Sequence, residues 1–338
     1  MQEVEMVNPL ISVVMAVHNG EQFICEAIDS ILRQTFKDFE FIIIDDGSTD
    51  STPALLKEYQ NRDPRIYIKK FVQNQGLTIC LNAGIQLARG KYIARMDADD
   101  ISLPYRFEEQ IKYLDEHPGV AALGTGFTLV DEVGNHIKDY IFSIYPEVLK
   151  WNLLFSNPIS HPSVMLHRSV INEIGGYDPQ LRRAQDYDLW WRISFAGRLG
   201  NLKDIHLLLR QHSERVTNKH QGEQVDSARK IKKKYLDMLL ARDIPESVLD
   251  NIKGKRTTAK SAAMASNIIL DYCHYCIKGV ASHISVLIVR QALVKAVRKI
   301  VRFVLFPITW PIWIRLFLLF IQFLTIKIKV IFPSLNQR

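Results

Sequence analysis

Cysteine is scarce in this 338-residue chain, with only Cys25, Cys80, Cys273 and Cys276. No second close pair accompanies Cys273-His274-Tyr275-Cys276, which excludes a four-cysteine zinc site and a disulfide scaffold. That short run could in principle offer three soft ligands. Two cysteines in a helical-looking stretch fit packing better, and the usage as a whole implies a reducing compartment. The residues before Pro9 include Glu3 and Glu5 and lack the basic-then-apolar order of a signal peptide, so export is not expected. Glycine-rich phosphate cradles are missing too. There is no G-x-x-x-x-G-K-[ST], and the G-x-G at Gly124-Thr125-Gly126 has no third glycine and opens no helix. A nucleotide bound by this chain would need carboxylates and a metal to hold its diphosphate.

Acidic residues stop at Asp271, although the composition is otherwise that of folded protein, 47% hydrophobic and 23% charged. The 67 residues after Asp271 carry ten cations: Lys278, Arg290, Lys295, Arg298, Lys299, Arg302, Arg315, Lys327, Lys329 and Arg338. Removing those leaves 33 basic against 36 acidic side chains, so residues 1–271 have a net charge of −3 within the overall +7. An acidic globule is joined to a basic, apolar tail.

No internal repeat or low-complexity linker interrupts the first part of the chain. Apolar runs at 10–17, 39–44, 65–70, 91–96 and 120–123 alternate with helical spacing at 21–33, 51–59, 77–88 and after Pro104. Continuous rather than alternating apolar strands predict an α/β fold, a mostly parallel sheet sandwiched by helices. Beyond Gly124 the spacing predicts a hairpin over 127–140 turning at Val133-Gly134-Asn135, a helix over 146–155, a strand over 163–167, a helix over 186–196 and a strand over 205–210. From about Gln221 onward the chain reads as helical. The expected division is a catalytic domain at 1–215, a helical extension at 216–290 and a membrane-associating tail at 291–338.

Ligands of open α/β sheets bind outside the carboxyl ends of the strands. Three polar clusters stand at such ends: Ala16-Val17-His18-Asn19, Asp45-Asp46-Gly47-Ser48 and Asp97-Ala98-Asp99-Asp100. Ser48, Thr49 and Asp50 are expected as turn and N-cap residues of the helix after them. Asp45 and Asp46 repel one another directly after a buried strand, which a donor such as a nucleobase N–H or a ribose hydroxyl would justify. Three carboxylates within four residues at 97–100 call for a cation, and hard oxygen ligands select Mg²⁺ or Mn²⁺. A solvated acidic loop is the plainer alternative.

These stretches, with Asn74-Gln75-Gly76, Asn82-Ala83 and Gly90-Lys91-Tyr92, resemble glycosyltransferase family 2, whose members have the Rossmann-like GT-A fold. The resemblance runs in order over roughly residues 9–215. It implies an inverting transfer of a sugar from a nucleotide diphosphate sugar, a UDP-sugar in the first instance. Ala16 and His18 would line the base pocket, with Asp46 bonding the base, although His18 stands where Tyr is often found. Asn19, Asp45, Asn74 and Gly76 are carried with them as nucleotide-sugar contacts, and Asp97 would approach the ribose. Asp99, with Asp100, would hold Mn²⁺ or Mg²⁺. In Ala184-Gln185-Asp186-Tyr187-Asp188, Asp186 matches the family's general base, and Gln185 replaces the Glu that often precedes it. Asp186 or Asp188 would also cap the helix. Arg210-Gln211-His212 resembles a late Arg-x-His whose His212 approaches the metal or diphosphate. Trp190 and Trp191 suit an acceptor platform, but helical spacing puts at least one in the core. His161-Pro162, near the acceptor side, is given no role.

Residues 303–326 span 24 positions, 16 of them Leu, Ile, Val or Phe, long enough to cross a bilayer. Arg315 at the centre costs roughly 2.5–3.5 kcal/mol to insert, and Pro307 and Pro311 interrupt the first half. Both flanks are cationic, which suits broken amphipathic segments lying in an anionic interface. A single span and a buried oligomer contact are the alternatives. A peripheral position on the cytoplasmic face of a membrane is therefore expected, with a glycan or lipid-linked acceptor. Nucleic acid is not an expected partner, because the tail's cations are interleaved with apolar residues rather than gathered on a polar face. A catalytically silent membrane-surface protein of the same fold is the competing class.

Overall fold

The computed structural model describes residues 8–213, 221–252 and 259–277. The chain divides into two compact units, residues 1–232 and 233–338. The first unit opens with β1 (Ile11–Val17), α1 (Ile24–Leu32), β2 (Phe39–Asp45), α2 (Thr52–Arg62), β3 (Ile66–Lys70), α3 (Leu77–Leu87) and β4 (Tyr92–Asp97). Their strands lie in the order β3-β2-β1-β4, all parallel. The apolar runs of β1 and β2 are buried throughout except Ala16, as strands covered on both faces require. On one face Ile11, Val13 and Met15 of β1 join Phe39, Phe41 and Ile43 of β2 in a core with Ile24, Ala27, Ile28 and Ile31 of α1. On the other, α3 lies so close that a Cβ at Gly84 would stand 2.4 Å from Val14 Cγ1.

The amino ends of these strands are closed by a buried polar knot. Ser12 Oγ donates to Glu40 Oε1 at 2.6 Å, the Gly90 N–H donates to Ser12 Oγ at 2.8 Å, and Arg89 donates its N–H and Nε–H to the two Glu40 oxygens at 2.8 and 2.9 Å. The carboxyl ends face the opposite rim.

The second half of the sheet differs from the sequence expectation. It contains β5 (Ile101–Ser102), β6 (Val120–Val130), β7 (His136–Tyr140), β8 (Met165–His167) and β9 (Arg198–Arg210), and continues the order as β4-β8-β6-β9-β5, with β7 beside β6. Pairs β4–β8, β6–β8, β5–β9 and β6–β7 are antiparallel, and β6–β9 is parallel. The sheet is therefore mixed: short β8 runs against both β4 and β6, so β6 and β9 point the same way as β1 to β4, and β8, β5 and β7 are the reversed strands. The hairpin expected at 127–140 is present, pairing Phe127 with Tyr140. Helices α4 (Arg106–Glu116), α5 (Pro146–Asn152), α6 (Arg168–Glu173) and α7 (Gln185–Ala196) complete this unit, together with the first part of α8 (Gln221–Leu240).

Two local departures have clear causes. Helix α1 begins at Ile24 rather than Glu21 because Glu21 is engaged elsewhere: its N–H donates to Asp50 Oδ2 at 3.1 Å and its Oε2 accepts the Ser51 N–H at 2.9 Å. Strand β9 begins at Arg198 rather than Ile205 because pairing with β6 carries even its polar first half into the sheet. The two-residue β5, too short for any periodic signal, pairs with Leu207 and Leu208 and so hooks the segment after Asp100 onto β9.

The second unit is described in the remainder of α8, α9 (Glu246–Ile252) and α10 (Ala259–Ile277). Helix α9 packs on α10, burying Val248, Leu249, Ile268, Ile269 and Tyr272. Cys273 and Cys276 are buried in α10. Among the described residues no helix is long and apolar enough to cross a membrane. The tail at 291–338, and the 303–326 stretch within it, lie outside the described residues.

Candidate active site

Parallel pairing sets the ends of β1, β2 and β4 side by side: Val17 is in register with Asp45, and Ala16 with Asp97. The turns after β1 and β2 are then laced together. Asn19, held at φ 53°, gives its N–H to Ser48 Oγ at 3.0 Å and accepts the Thr49 N–H on Oδ1 at 2.9 Å. The Gly20 N–H donates to Thr52 Oγ1 at 2.9 Å, and His18 Nδ1 lies 2.9 Å from the Asp46 carbonyl oxygen. Ser48 and Thr49 thus serve the neighbouring turn rather than the helix, and Asp50 alone bonds the first helical residue, accepting the Thr52 N–H on Oδ1 at 3.0 Å.

Asp45 and Asp46 have separate duties. Asp45 is fully buried and closes its own turn, accepting the Ser48 N–H at 2.9 Å, with Lys70 Nζ at 3.8 Å. Asp46 clamps the segment before α3: Oδ1 accepts the Gln75 N–H at 2.6 Å and Oδ2 the Gly76 N–H at 2.9 Å. Each oxygen keeps a second lone pair. Gly47, at φ +70°, admits this crossing, since a Cβ there would lie 2.6 Å from the Gln73 carbonyl carbon. Asn74 is exposed on the same segment.

Three acidic side chains converge in the loop after β4. Asp97, Asp99 and Asp100 each place an oxygen within 4.8 Å of the others. Oxygens sharing one octahedral Mg²⁺ lie up to about 4.2 Å apart, so this spacing is close to what holding one ion would need. An all-oxygen donor set suits Mg²⁺ or Mn²⁺. Protein cations already surround it. Arg95 Nη2 donates to Asp97 Oδ1, the Arg210 N–H donates to Asp100 Oδ1 at 2.9 Å, and Arg210 Nε donates to the Asp99 carbonyl at 3.1 Å. His212 Nε2 stands 2.8 Å from Asp99 Oδ2, its ring against Phe23 with centroids 5.1 Å apart. The histidine thus meets the cluster through a carboxylate.

Arg210 is buried and joins distant parts of the chain. Besides the acidic loop it bonds the Glu132 carbonyl at 2.6 Å, pairs with Glu26 of α1 and lies 4.8 Å over the Phe23 ring. The expected Arg-x-His pattern located this residue, but nothing local in the sequence pointed to Glu26.

Asp186 opens α7 just after Ala184, whose φ of 56° is costly for a residue with a Cβ and turns the chain sharply into the helix. Its Oδ1 accepts the Tyr187 N–H at 2.8 Å and its Oδ2 accepts an Asn157 amide hydrogen at 2.5 Å. Burial pushes the Asp186 carboxyl above the usual carboxylate range, opposed by these hydrogen bonds and by the nearby charge of Arg95. Asp188 is buried and paired instead with Arg192 at 2.7 Å. Trp190 and Trp191 are both fully buried, so neither is an acceptor platform. His161 is buried with Nε2 2.7 Å from the Tyr177 hydroxyl. Asn157, Arg95 and Tyr177 gave no signal in the sequence beyond their residue types.

A mixed sheet with acidic strand ends and a half-open carboxylate at a helix start is the layout of a nucleotide-using transferase. Residues 12–175 match the family model described as glycosyl transferase family 2. An uncharacterized glycosyltransferase of Haemophilus influenzae is 33% identical over 243 residues, covering 69% of this chain and 75% of its own length. The O-antigen biosynthesis glycosyltransferase WbnJ of Escherichia coli is 39% identical over 185 residues, 54% of this chain and 71% of its own. The chain belongs to glycosyltransferase family 2. Among solved structures, S. aureus TarS 1-349 in complex with UDP-GlcNAc superposes with a TM-score of 0.55 at 17% identity, covering 86% of this chain and 90% of that one. The mannosyltransferase PcManGT from Pyrobaculum calidifontis, in complex with GDP-Man and Mn²⁺, gives 0.51 at 14% identity over 86% and 81%. These two likenesses show the GT-A fold. Asp186, Arg210 and His212 lie beyond the span matched by the family model.

Proposed function

We propose that this glycosyltransferase transfers a hexosyl or N-acetylhexosaminyl group, with inversion, from a nucleotide diphosphate sugar to a hydroxyl of a glycan or lipid-linked acceptor. The observation that carries this reading is the pairing of a convergent carboxylate trio, Asp97, Asp99 and Asp100, with a half-buried carboxylate on a separate element, Asp186. Inversion needs one displacement, and therefore one base and one stabilised leaving group.

Asp186 takes the proton of the acceptor hydroxyl as that oxygen forms its bond to the anomeric carbon. The bond from the anomeric carbon to the diphosphate oxygen breaks in the same step. Asn157 holds one Asp186 oxygen, which directs the basic lone pairs of the carboxylate. Asp99 and Asp100 would hold Mn²⁺ or Mg²⁺, which when bound neutralises charge on the departing diphosphate. His212 orients Asp99, and second-shell partners of this kind are worth roughly 10–100-fold in metal affinity. On the nucleotide side, Ala16, His18, Asn19 and Asp46 would frame the base, Asn74 and Gly76 would close over it, and Asp97 would meet the ribose. Asp45 supports that frame from beneath.

A UDP-sugar is the preferred donor class, supported by the UDP-GlcNAc complex of TarS, while the GDP-Man complex of PcManGT keeps a guanine nucleotide in view. The name of WbnJ supports assembly of a cell-surface polysaccharide, lipopolysaccharide or glycolipid. The basic apolar residues 291–338 would hold the enzyme peripherally on the cytoplasmic face of an anionic membrane, a single span being the alternative. The deciding experiment measures nucleoside diphosphate release from UDP-glucose, UDP-galactose, UDP-N-acetylglucosamine and GDP-mannose, with and without Mn²⁺. Turnover of one donor that rises with Mn²⁺ is expected; no release from any donor favours the silent alternative.

A further inference from the structure

Helix α3 is bonded to the nucleotide frame at its start and, along one face, to the chain that leads into Asp186. Its N-cap, Gly76, gives its N–H to Asp46 Oδ2 at 2.9 Å. Two residues on, Thr78 Oγ1 donates to the Leu181 carbonyl oxygen at 2.7 Å. One turn further, on the same helix face, Asn82 Nδ2 donates to the Tyr177 carbonyl oxygen at 2.8 Å while Asn82 Oδ1 accepts the Tyr177 N–H at 2.9 Å. A single amide side chain thus supplies both bonds that a neighbouring strand would give Tyr177. Gly176, at φ +71°, admits this approach, since a Cβ there would stand 2.6 Å from Asn82 Oδ1. The same segment is tied to α7 by Arg192, whose Nη1 donates to the carbonyl oxygens of Ile174 at 3.0 Å and Gly176 at 2.6 Å. Both supports of Asp186 lead back to Asn82. The chain held at Tyr177 and Leu181 runs on into α7 and the base, and the Tyr177 hydroxyl lies 2.7 Å from His161 Nε2, in the segment whose Asn157 bonds Asp186 Oδ2.

We propose that Asn82, supported by Thr78, is a positioning residue for the transfer step: it fixes the 176–184 segment on α3 and through it sets the Asp186 carboxylate where the acceptor hydroxyl gives up its proton. The assignment rests on Asp186 acting as the general base. Asn82 serves the base and not the nucleotide. The clamp between Asp46 and α3 is made by backbone N–H groups at the helix start, so a change at Asn82 leaves its bonding groups in place. Proton transfer needs the base oxygen within hydrogen-bond reach of the hydroxyl, and a displacement of about 1 Å costs up to about 10²-fold in rate.

The test is a double-mutant cycle on the full chain with Asn82→Ala, Asp186→Asn and the two combined. It reads kcat for nucleoside diphosphate release from the donor that the wild type turns over, with water as the hydroxyl acceptor, and the affinity for UDP and GDP by calorimetry, all well below each variant's melting transition. Asn82→Ala is expected to lower kcat about 10–10²-fold with diphosphate affinity unchanged. In the Asp186→Asn background the same substitution is expected to cost no further kcat, because no base is left to place. Thr78→Val keeps the side-chain shape, removes the donor to Leu181 and is expected to show the same pattern at about threefold; should Asn82→Ala not fold, it carries the cycle. An unchanged kcat, an equal loss of kcat and diphosphate affinity, or the same loss of kcat with and without Asp186 would make Asn82 a tie of the fold alone and overturn the proposal. If Asp186→Asn itself keeps wild-type turnover, the base reading falls and this assignment with it. A wild-type chain that releases diphosphate from no donor overturns the donor reading, and again this assignment with it.

Discussion

The two halves of the sheet furnish the site in different ways. In β3-β2-β1-β4 every strand end falls on one rim by topology, so Asp46 and Asp97 are brought near each other by strand pairing alone. In the mixed half nothing so simple operates. Asp186 comes from a helix start, His212 from beyond the end of β9, and each is placed by contacts with distant residues, Asn157 and Asp99. The parallel half carries Asp46 and the 97–100 carboxylates on local turns. The mixed half adds the proposed base Asp186 and the histidine beside Asp99, and it depends on long-range bonds to hold them.

The largest expected effect falls on the mixed half. Asp186→Asn should lower turnover by about 10³-fold, the scale of a lost general base, while nucleotide affinity stays near the wild-type value. Its melting temperature should be unchanged or raised. Burial raises the carboxyl above its usual value, so ionising it at neutral pH opposes folding, and the amide removes that cost. A variant that keeps turnover would remove the division between the halves.

Next in size, Asp99→Ala should abolish Mn²⁺ stimulation and lower turnover by about 10²-fold, and His212→Ala should weaken Mn²⁺ binding by roughly tenfold. Calorimetric titration with Mn²⁺ alone checks both. Equal losses in the two variants would make the histidine a direct ligand rather than a support for Asp99.

In the parallel half, Asp46→Ala frees the Gln75 and Gly76 N–H groups, so chemical denaturation should show a loss of about 2 kcal/mol, accompanied by weaker nucleotide binding. Stability lost with nucleotide affinity intact would make Asp46 a loop clamp only. The smallest effect is in pH. A general base must be ionised to act, so with Asp186 in that proposed role the acidic limb of the rate profile should lie above the ordinary carboxylate range, activity falling as pH drops through the raised value. The stability contribution runs the other way: it is fully present below the unfolded value of 3.8 and is lost as pH rises toward the folded one. Asn157→Ala should move the acidic limb higher still, because it removes a bond that favours the charged form.

What could be read from sequence follows the same division. Asp45, Asp46 and the 97–100 loop were legible because buried apolar strands end abruptly in carboxylates, a pattern complete within a few residues. Asp186 was reached by family resemblance, since a lone Asp before a helix looks like any cap. Asn157, Arg95 and Tyr177 were not legible. Asn157 precedes a proline and reads as a turn, Arg95 sits in an otherwise apolar strand, and Tyr177 acquires meaning only through His161, 16 residues away. The reversal at β8 was hidden as well, because a three-residue strand leaves no periodic trace of its direction.

The ion pair between Arg210 and Glu26 joins residues 184 positions apart. A ribosome making this chain has finished the frame around Asp46 and the 97–100 loop long before Arg210 emerges. For the 110 residues between Asp100 and Arg210, the crowded carboxylates wait without the arginine that later ties their loop to β9 and α1. The last-made strand of the catalytic unit therefore acts as its latch, and a nascent chain stays chemically incomplete until almost all of that unit exists.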